Sequence, residues 1–217
     1  MSMTAVPPFD RARVVRRGQQ LTAATLLYNS LEGFFSIALG ILAGSVALIG
    51  FGVDSFIEIF ASLTAMWRLH HDADAGHRAA AERHALLLIG LSLLALAAYV
   101  TIEAGRTLLT QSAPARSPLG IVLALLSLVV MPVLARAKRQ VAGQLSSIAL
   151  RAEARQTDIC VYLSAILLGG LALNALYGWW WADPVAALAM VPLIAWEGRE
   201  ALRGRRTCTD CAPIGTA

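Results

Sequence analysis

The stretch GFGVDSFIE, from Gly50 to Glu58, sets two carboxylates inside a long apolar segment. Asp54 and Glu58 are four residues apart, a spacing that puts both side chains on one face of an α-helix. An ionised side chain at the centre of a bilayer costs roughly 3 kcal/mol or more, and by default it marks an ion or proton pathway. Two such charges repel each other unless a cation or protons lie between them. The pair is therefore the first candidate for an ion site.

The composition favours a membrane protein. Of the 217 residues, 57% are hydrophobic and 15% are charged, whereas a soluble domain carries about 25% charged residues. A membrane-spanning helix needs about 20 mostly apolar residues, and six segments are long enough: about 20–44, 47–69, 84–109, 117–136, 144–173 and 182–202. We predict an all-α fold, a polytopic bundle of six transmembrane helices. Its parts would be a cytoplasmic N-terminal segment (1–19), the transmembrane domain (20–203) and a short cytoplasmic tail (204–217).

The segments between the predicted helices also indicate the orientation. The breaks are a tight hairpin in LAGSVALIGFG, a polar loop HHDADAGHRAAAER, a Pro-rich turn TQSAPARSP, a basic turn RAKRQVAGQ and an aromatic corner NALYGWWWADP. Basic residues gather at both termini and in the loops after helices 2 and 4, so both termini should be cytoplasmic. The net charge of +4 fits this bias and comes with no nucleic-acid motif. We expect a multi-pass protein of a bacterial-type inner or plasma membrane.

Polar residues in two further helices lie at the depth of the acidic pair. Asn29 and Glu32 are three apart in helix 1, and the stretch RAEARQTDIC lies in helix 5. At about 1.5 Å per residue, these groups and the acidic pair all lie roughly 15–25 Å from the cytoplasmic ends of their helices. Polar groups from three helices at one depth predict a shared site. Asn29 also suits a hydrogen bond between helices.

Helix 5 offers two sets of candidate ligands. At 100° per residue, Glu153, Gln156 and Cys160 share one face. Asp158 shares another face with Arg151 and Arg155, either of which can neutralise it through ordinary helical pairing. Glu153 has no basic partner on its own face within helix 5. This geometry favours Glu153, Gln156 and Cys160, although Asp158 is chemically the richer ligand.

A second candidate metal site is the loop after helix 2. It holds His70, His71, Asp72, Asp74 and His77. Imidazole and carboxylate together suit Zn²⁺ and its first-row neighbours, although such a cluster is also typical of a solvated loop. The C-terminal pair Cys208 and Cys211, in CTDC, would bind metal only with further ligands, and we assign it no role.

Two motifs resemble those of a known family. Helix 2, VDSFIEIFASLTAMWRL, resembles the V-D-S-x-x-D helix of the cation diffusion facilitators. Helix 6, WWADPVAALAM, resembles their W-x-A-D-P-x-x-A-L motif. The resemblance implies export of Zn²⁺, Mn²⁺, Fe²⁺, Co²⁺ or Cd²⁺ from the cytoplasm against protons, usually by a homodimer. It implies no permanently bound cofactor. The family's usual cytoplasmic C-terminal domain is missing from the sequence, so we expect a short form.

The family's site residues carry over in part. Asp54 matches the first acid of the helix 2 motif, and Glu58 stands where Asp is usual. On helix 5 the family has H-x-x-x-D, and one register puts Ala154 and Asp158 at these positions. The other register puts Gln156 and Cys160 there and agrees with the helical face. The resemblance also implies a second, weaker site near the loop after helix 2.

These observations predict a divalent metal transporter, with Zn²⁺ first among the metals and efflux coupled to protons. One alternative is a membrane metal-sensing or scaffold protein without transport. Another is an intramembrane enzyme, and we expect no enzyme because an aspartyl dyad needs two acids facing each other from different helices. The clear pair here, Asp54 and Glu58, lies on one helix.

Overall fold

The computed structural model describes residues 8–70, 75–145 and 148–207, and this part of the chain is all-helical. The predicted all-α fold is therefore confirmed. Six helices follow one another along the chain: α1 (Pro8–Ala43), α2 (Val46–His70), α3 (Ala75–Thr110), α4 (Pro118–Leu145), α5 (Ile148–Tyr177) and α6 (Ala182–Thr207).

Five of these helices, α1 to α5, are long and apolar enough to cross a membrane. The sixth helix, α6, is not apolar enough over its length to be a candidate span, because its second half, WEGREALRGRR, is rich in charge. Many large apolar side chains point outward from the bundle, as lipid contact requires, among them Leu27, Phe34, Leu91, Ile102 and Val129. The protein is a multi-pass membrane protein. The cytoplasmic location of both termini stays a prediction.

Some helices extend beyond the apolar segments. The predicted basic turn RAKRQVAGQ is wrong, because α4 continues through it to Leu145. Ala, Arg, Lys and Gln all favour helix, and α4 meets no glycine after Gly120 until Gly143. Likewise α3 begins at Ala75, inside the predicted polar loop, and α1 begins at Pro8. Hydropathy marks the thickness of the lipid, whereas a helix can continue through polar residues that favour helix.

Helix α2 is central and contacts α1, α3, α5 and α6. Its crossing with α1 is close: a Cβ added at Gly52 would lie 3.0 Å from the carbonyl oxygen of Gly33. The α3–α6 crossing is similar, because a Cβ at Gly90 would lie 2.9 Å from the carbonyl oxygen of Gly198. Small residues allow membrane helices to approach this closely. Both acidic residues of α2 are therefore held against neighbouring helices.

Three connections meet at one end of the bundle. The backbone N–H of Ala115, between α3 and α4, donates to the carbonyl of Ala43 at 2.7 Å. The side-chain amide of Asn174, near the end of α5, donates to the carbonyl of Pro114 at 3.2 Å. The α1–α2 connection is the predicted tight hairpin, and its Gly44 has a left-handed φ of 65°. These bonds fix the bundle at the end where α2 begins.

The predicted break at NALYGWWWADP is confirmed, since α5 ends at Tyr177 and α6 begins at Ala182. Trp179 and Trp181 stack there with ring centroids 5.0 Å apart, and both are exposed. Aromatic rings of this kind are typical of the membrane–water interface. This corner therefore indicates where one face of the bilayer lies.

Candidate metal centre

Helix α1 turns a polar stripe toward the inside of the bundle. Its members recur every three or four residues, the spacing of one helical face, and all are buried: Thr22, Thr25, Asn29, Glu32 and Ser36. The opposite side of α1 carries exposed apolar residues such as Leu31 and Phe35. The polarity of α1 is therefore the reverse of that of a surface helix in a soluble protein: its apolar side chains face outward and its polar side chains face the inside of the bundle.

Helix α2 meets this stripe with its own polar face. Asp54 is 5% exposed and Glu58 is 1% exposed. Ser55 donates a hydrogen bond to Glu32 Oε2 at 3.1 Å, which joins the two helices. The amide of Asn29 interacts with the carboxylate of Glu58, although neither amide atom has a hydrogen bond of normal geometry to the side chains that the structure describes. The structure thus brings together four of the predicted site residues from α1 and α2.

Several carboxylate oxygens in this region have no hydrogen-bond partner among the residues that the structure describes. They are fully buried and come from three residues: Glu32 Oε1, Asp54 Oδ1 and Glu58 Oε2. Asp54 lies close enough to Glu58 and Glu32 for their charges to repel one another. A buried, unpaired carboxylate is very costly. The arrangement therefore requires cations, protons or both.

Two further residues complete the acidic pocket, which we define as Glu32, Asp54, Glu58, Cys160 and Glu197. Cys160 of α5 is buried and interacts electrostatically with all four carboxylates. Glu197 of α6 faces Asp54 and Glu58. Glu197 is absent from the sequence prediction because it lies near the charged end of α6, close to Arg199 and Glu200, where it resembles an interfacial residue. The pocket draws on four helices.

Glu153 is buried too, but a basic residue lies beside it. Lys138 of α4 places its Nζ 2.9 Å from Glu153 Oε1, with the two side chains 1% and 2% exposed. Ser62 of α2 donates to the same oxygen at 2.9 Å. Helix 5 alone offers Glu153 no basic partner, and the partner comes from α4. Sequence reasoning missed Lys138 because it put this residue in a cytoplasmic turn.

The other helix 5 candidates are separated by the structure. Gln156 is half-buried, and within the described part of the chain its Nε2 has no hydrogen-bond partner. The side chain of Asp158 is 30% exposed and pairs with Arg139 of α4 at 2.5 Å. Asp158 thus has a basic partner on α4, whereas the side chains of Arg151 and Arg155, its expected partners within α5, lie outside the described residues. The roles of Gln156 and Asp158 stay predictions.

The predicted capture loop is only partly covered. His71, Asp72 and Asp74 lie outside the described residues, as do the side chains of His70 and His77. Cys208 and Cys211 lie outside them as well. Among the residues that the structure describes, no three His, Cys, Asp or Glu side chains are close enough together to form a finished metal site. The side chains of the acidic pocket would therefore have to come closer together to share one ion.

Fold and pocket together define a class: a multi-pass helical membrane protein with an acidic core. Comparison with known families agrees with this. The model of the cation efflux transmembrane domain matches residues 22–204, and the chain belongs to that family.

Two curated relatives are similar over most of the chain. An uncharacterised transporter of Synechocystis is 28% identical over 168 residues, which is 75% of this chain and 54% of that protein. The cation-efflux pump FieF of Shewanella oneidensis is 26% identical over 194 residues, 86% of this chain and 63% of that protein. The chain thus spans between half and two thirds of the length of these relatives.

Proposed function

We propose that this protein carries a divalent metal ion across the membrane, out of the cytoplasm and in exchange for protons. The observation that carries the proposal is the set of orphaned oxygens on Glu32, Asp54 and Glu58. A divalent cation between these oxygens removes the repulsion and supplies the missing partner of each. Membership of the cation efflux family and the similarity to a cation-efflux pump support the same reading.

The ligands we propose are Asp54 and Glu58 first, with Glu32 and Cys160 completing the shell. Gln156 can add its amide oxygen. Glu153 stays a prediction from the sequence and lies outside this proposed shell, because Lys138 and Ser62 hold its Oε1. Among the described side chains this set supplies oxygen and one sulfur.

The donor set bears on the metal. Zn²⁺ accepts thiolate and carboxylate ligands together, so Cys160 favours Zn²⁺. Carboxylate and amide oxygens also suit Mn²⁺. In the general order of affinity for such ligands, Fe²⁺ and Co²⁺ follow Mn²⁺. We propose Zn²⁺ as the first substrate, with the other three metals as the competitors to be tested beside it.

Protons supply a route for release. Metal ligands must be deprotonated to bind, so protons compete with the ion for the same oxygens. On an acidic outer side the carboxylates of the pocket would take up protons and the ion would leave. The apparent pKa values of this exchange would belong to the coupled group rather than to one residue.

The His-rich loop, with His70, His71 and His77, would recruit ions before they reach the pocket. A homodimer is the assembly that the family resemblance implies.

Transport by purified protein in sealed proteoliposomes tests the proposal. Uptake of Zn²⁺, Mn²⁺, Fe²⁺ and Co²⁺ would be followed with and without a pH gradient, beside empty vesicles and the Asp54→Asn variant. We expect gradient-dependent flux of at least one metal by wild type and none by the variant. Binding of metal without flux would favour a sensing or scaffold role instead.

A further inference from the structure

Lys138 is the only lysine of the chain, and it is buried. It lies toward the end of α4, inside the part of that helix that could span a membrane, and its side chain is 1% exposed. A buried ammonium is stable only with a charged partner and further hydrogen bonds. Glu153 is the charged partner, at 2.9 Å. A second contact, to Thr157 Oγ1 at 3.2 Å, points from this pair toward the acidic pocket.

Thr157 connects the ion pair with the pocket. Its Oγ1 accepts from Lys138 and has two acceptors for its own proton, Glu58 Oε1 at 3.0 Å and the backbone carbonyl of Glu153 at 3.1 Å. A hydroxyl has one proton, and a lysine that donates into the oxygen directs that proton elsewhere. When the proton lies on Glu58, Oε1 is occupied, while Oε2 has no hydrogen-bond partner among the residues that the structure describes. The positive charge of Lys138 also acts on Glu58 directly.

We propose that Lys138 is a tethered cation that sets how tightly the acidic pocket holds its ion. The proposal rests on the proposed function and deepens it. Lys138 neutralises Glu153 and keeps that carboxylate from joining Asp54 and Glu58 around the metal. It also orients Glu58 through Thr157, so that one oxygen of Glu58 is held and the other faces the ion. The affinity of the pocket is thus limited, as a site that must release its ion requires.

The two partners of the pair should therefore have opposite effects. Without Lys138, Glu153 is an uncompensated carboxylate beside the pocket, and it would attract the ion. Without the charge of Glu153, Lys138 is an unpaired cation that repels the ion or pairs with Glu58 in its place. Adding or removing one elementary charge beside the pocket changes its affinity for the ion by roughly tenfold or more. If the pair were purely structural, losing either partner would weaken the same contact between α4 and α5, and both variants would change metal affinity in the same direction.

The experiment measures Zn²⁺ and Mn²⁺ binding by calorimetry on full-length protein in detergent or nanodiscs. Four forms are compared: wild type, K138M, E153Q and the double variant K138M/E153Q. The matched control is R139Q, which breaks the neighbouring exposed ion pair between the same two helices, Arg139–Asp158. We expect K138M to bind about tenfold tighter, E153Q about tenfold weaker, and the double variant and R139Q to bind like wild type. Flux in proteoliposomes should fall in K138M, because the ion leaves more slowly.

If K138M and E153Q change metal affinity in the same direction, or if neither changes it, the role of Lys138 is overturned while the proposed function stays intact. If K138M does not accumulate in the membrane, E153Q and the double variant decide the question. Weaker binding by E153Q with wild-type binding by the double variant supports the proposed role of Lys138. Weak binding by both variants overturns it. Wild type that binds neither metal would contradict the proposed function itself, and the role of Lys138 with it.

Discussion

The carboxylate of Asp183, at the start of α6, accepts a hydrogen bond from the backbone N–H of Val46, the first residue of α2, at 3.0 Å. Its other oxygen accepts from the hydroxyl of Ser45, and that hydroxyl in turn accepts from the backbone N–H of Leu48. One buried carboxylate of α6 therefore caps α2, an arrangement that satisfies donors which the helix end leaves free. The Asp of the W-x-A-D-P motif thus fixes the helix that carries Asp54 and Glu58.

Asp183→Ala should lower the thermal stability of the protein while leaving the metal affinity of the folded fraction near that of wild type. The change leaves the hydroxyl of Ser45 and the N–H of Val46 buried without an acceptor, at about 1–3 kcal/mol for each such group. Asp183→Asn keeps one acceptor oxygen and should lose less. Melting temperature in detergent and calorimetry on the same samples are the measurements. A loss of affinity at unchanged stability would place Asp183 in the ion site.

Glu197→Gln should weaken metal binding by roughly tenfold, since it removes one of four negative charges that act on the ion. Glu197 faces Asp54 and Glu58 from α6. The control is Glu200→Gln on the same helix, because Glu200 is exposed and interacts only weakly with Arg203 at 3.8 Å. Calorimetry with Zn²⁺ on both variants is the test. Equal affinities of the two variants would remove Glu197 from the pocket.

Cys160 should react with a small thiol reagent that enters from the cytoplasm, and bound Zn²⁺ should protect it. The thiol is buried among the carboxylates of the pocket, so only a path that admits ions can admit the reagent. The measurement is labelling, followed by mass spectrometry, in a Cys208→Ser, Cys211→Ser background. A thiol that stays inert in the absence of metal would mean that Cys160 is packing in the apolar core.

Replacing His70, His71 and His77 by Ala should weaken the apparent affinity of transport by a modest factor and leave maximal flux mostly intact. The histidines lie outside the apolar spans, so they can concentrate ions but need not hold them during the crossing. Flux in proteoliposomes over a range of Zn²⁺ concentrations measures both quantities. Complete loss of flux would show that the loop is essential and that the order of the two sites is wrong.

The helices and the acidic pair were predictable from the sequence because both depend on local patterns. Apolar runs gave the number of helices, and the spacing of Asp54 and Glu58 gave their common face. The ends of the helices were not predictable, because α4 continues as a helix after its apolar part stops. That single error hid Lys138, since a lysine in a cytoplasmic turn needs no buried partner.

The contacts between helices were the other part that local patterns do not encode. The partner of Glu153 lies on α4, and the partner of Asp158 also lies there. The 100° rule showed which residues share a face of α5, but only packing shows which helix that face meets. Glu197 resembles an interfacial residue in the sequence, and only the packing of α6 against α2 brings it to the pocket.

The central claim is that Asp54 and Glu58 hold the ion, and Asp54→Asn tests it most directly. The variant keeps the shape of the side chain and removes its charge, so the protein should still insert and fold. Calorimetry with Zn²⁺ would be run on wild type and variant at two pH values. We predict wild-type binding that weakens as pH falls, because protons take up the same oxygens, and loss of binding by the variant at both pH values. Binding by Asp54→Asn as tight as wild type would contradict the account, because the carboxylate pair would then be structural and the ion site would lie elsewhere.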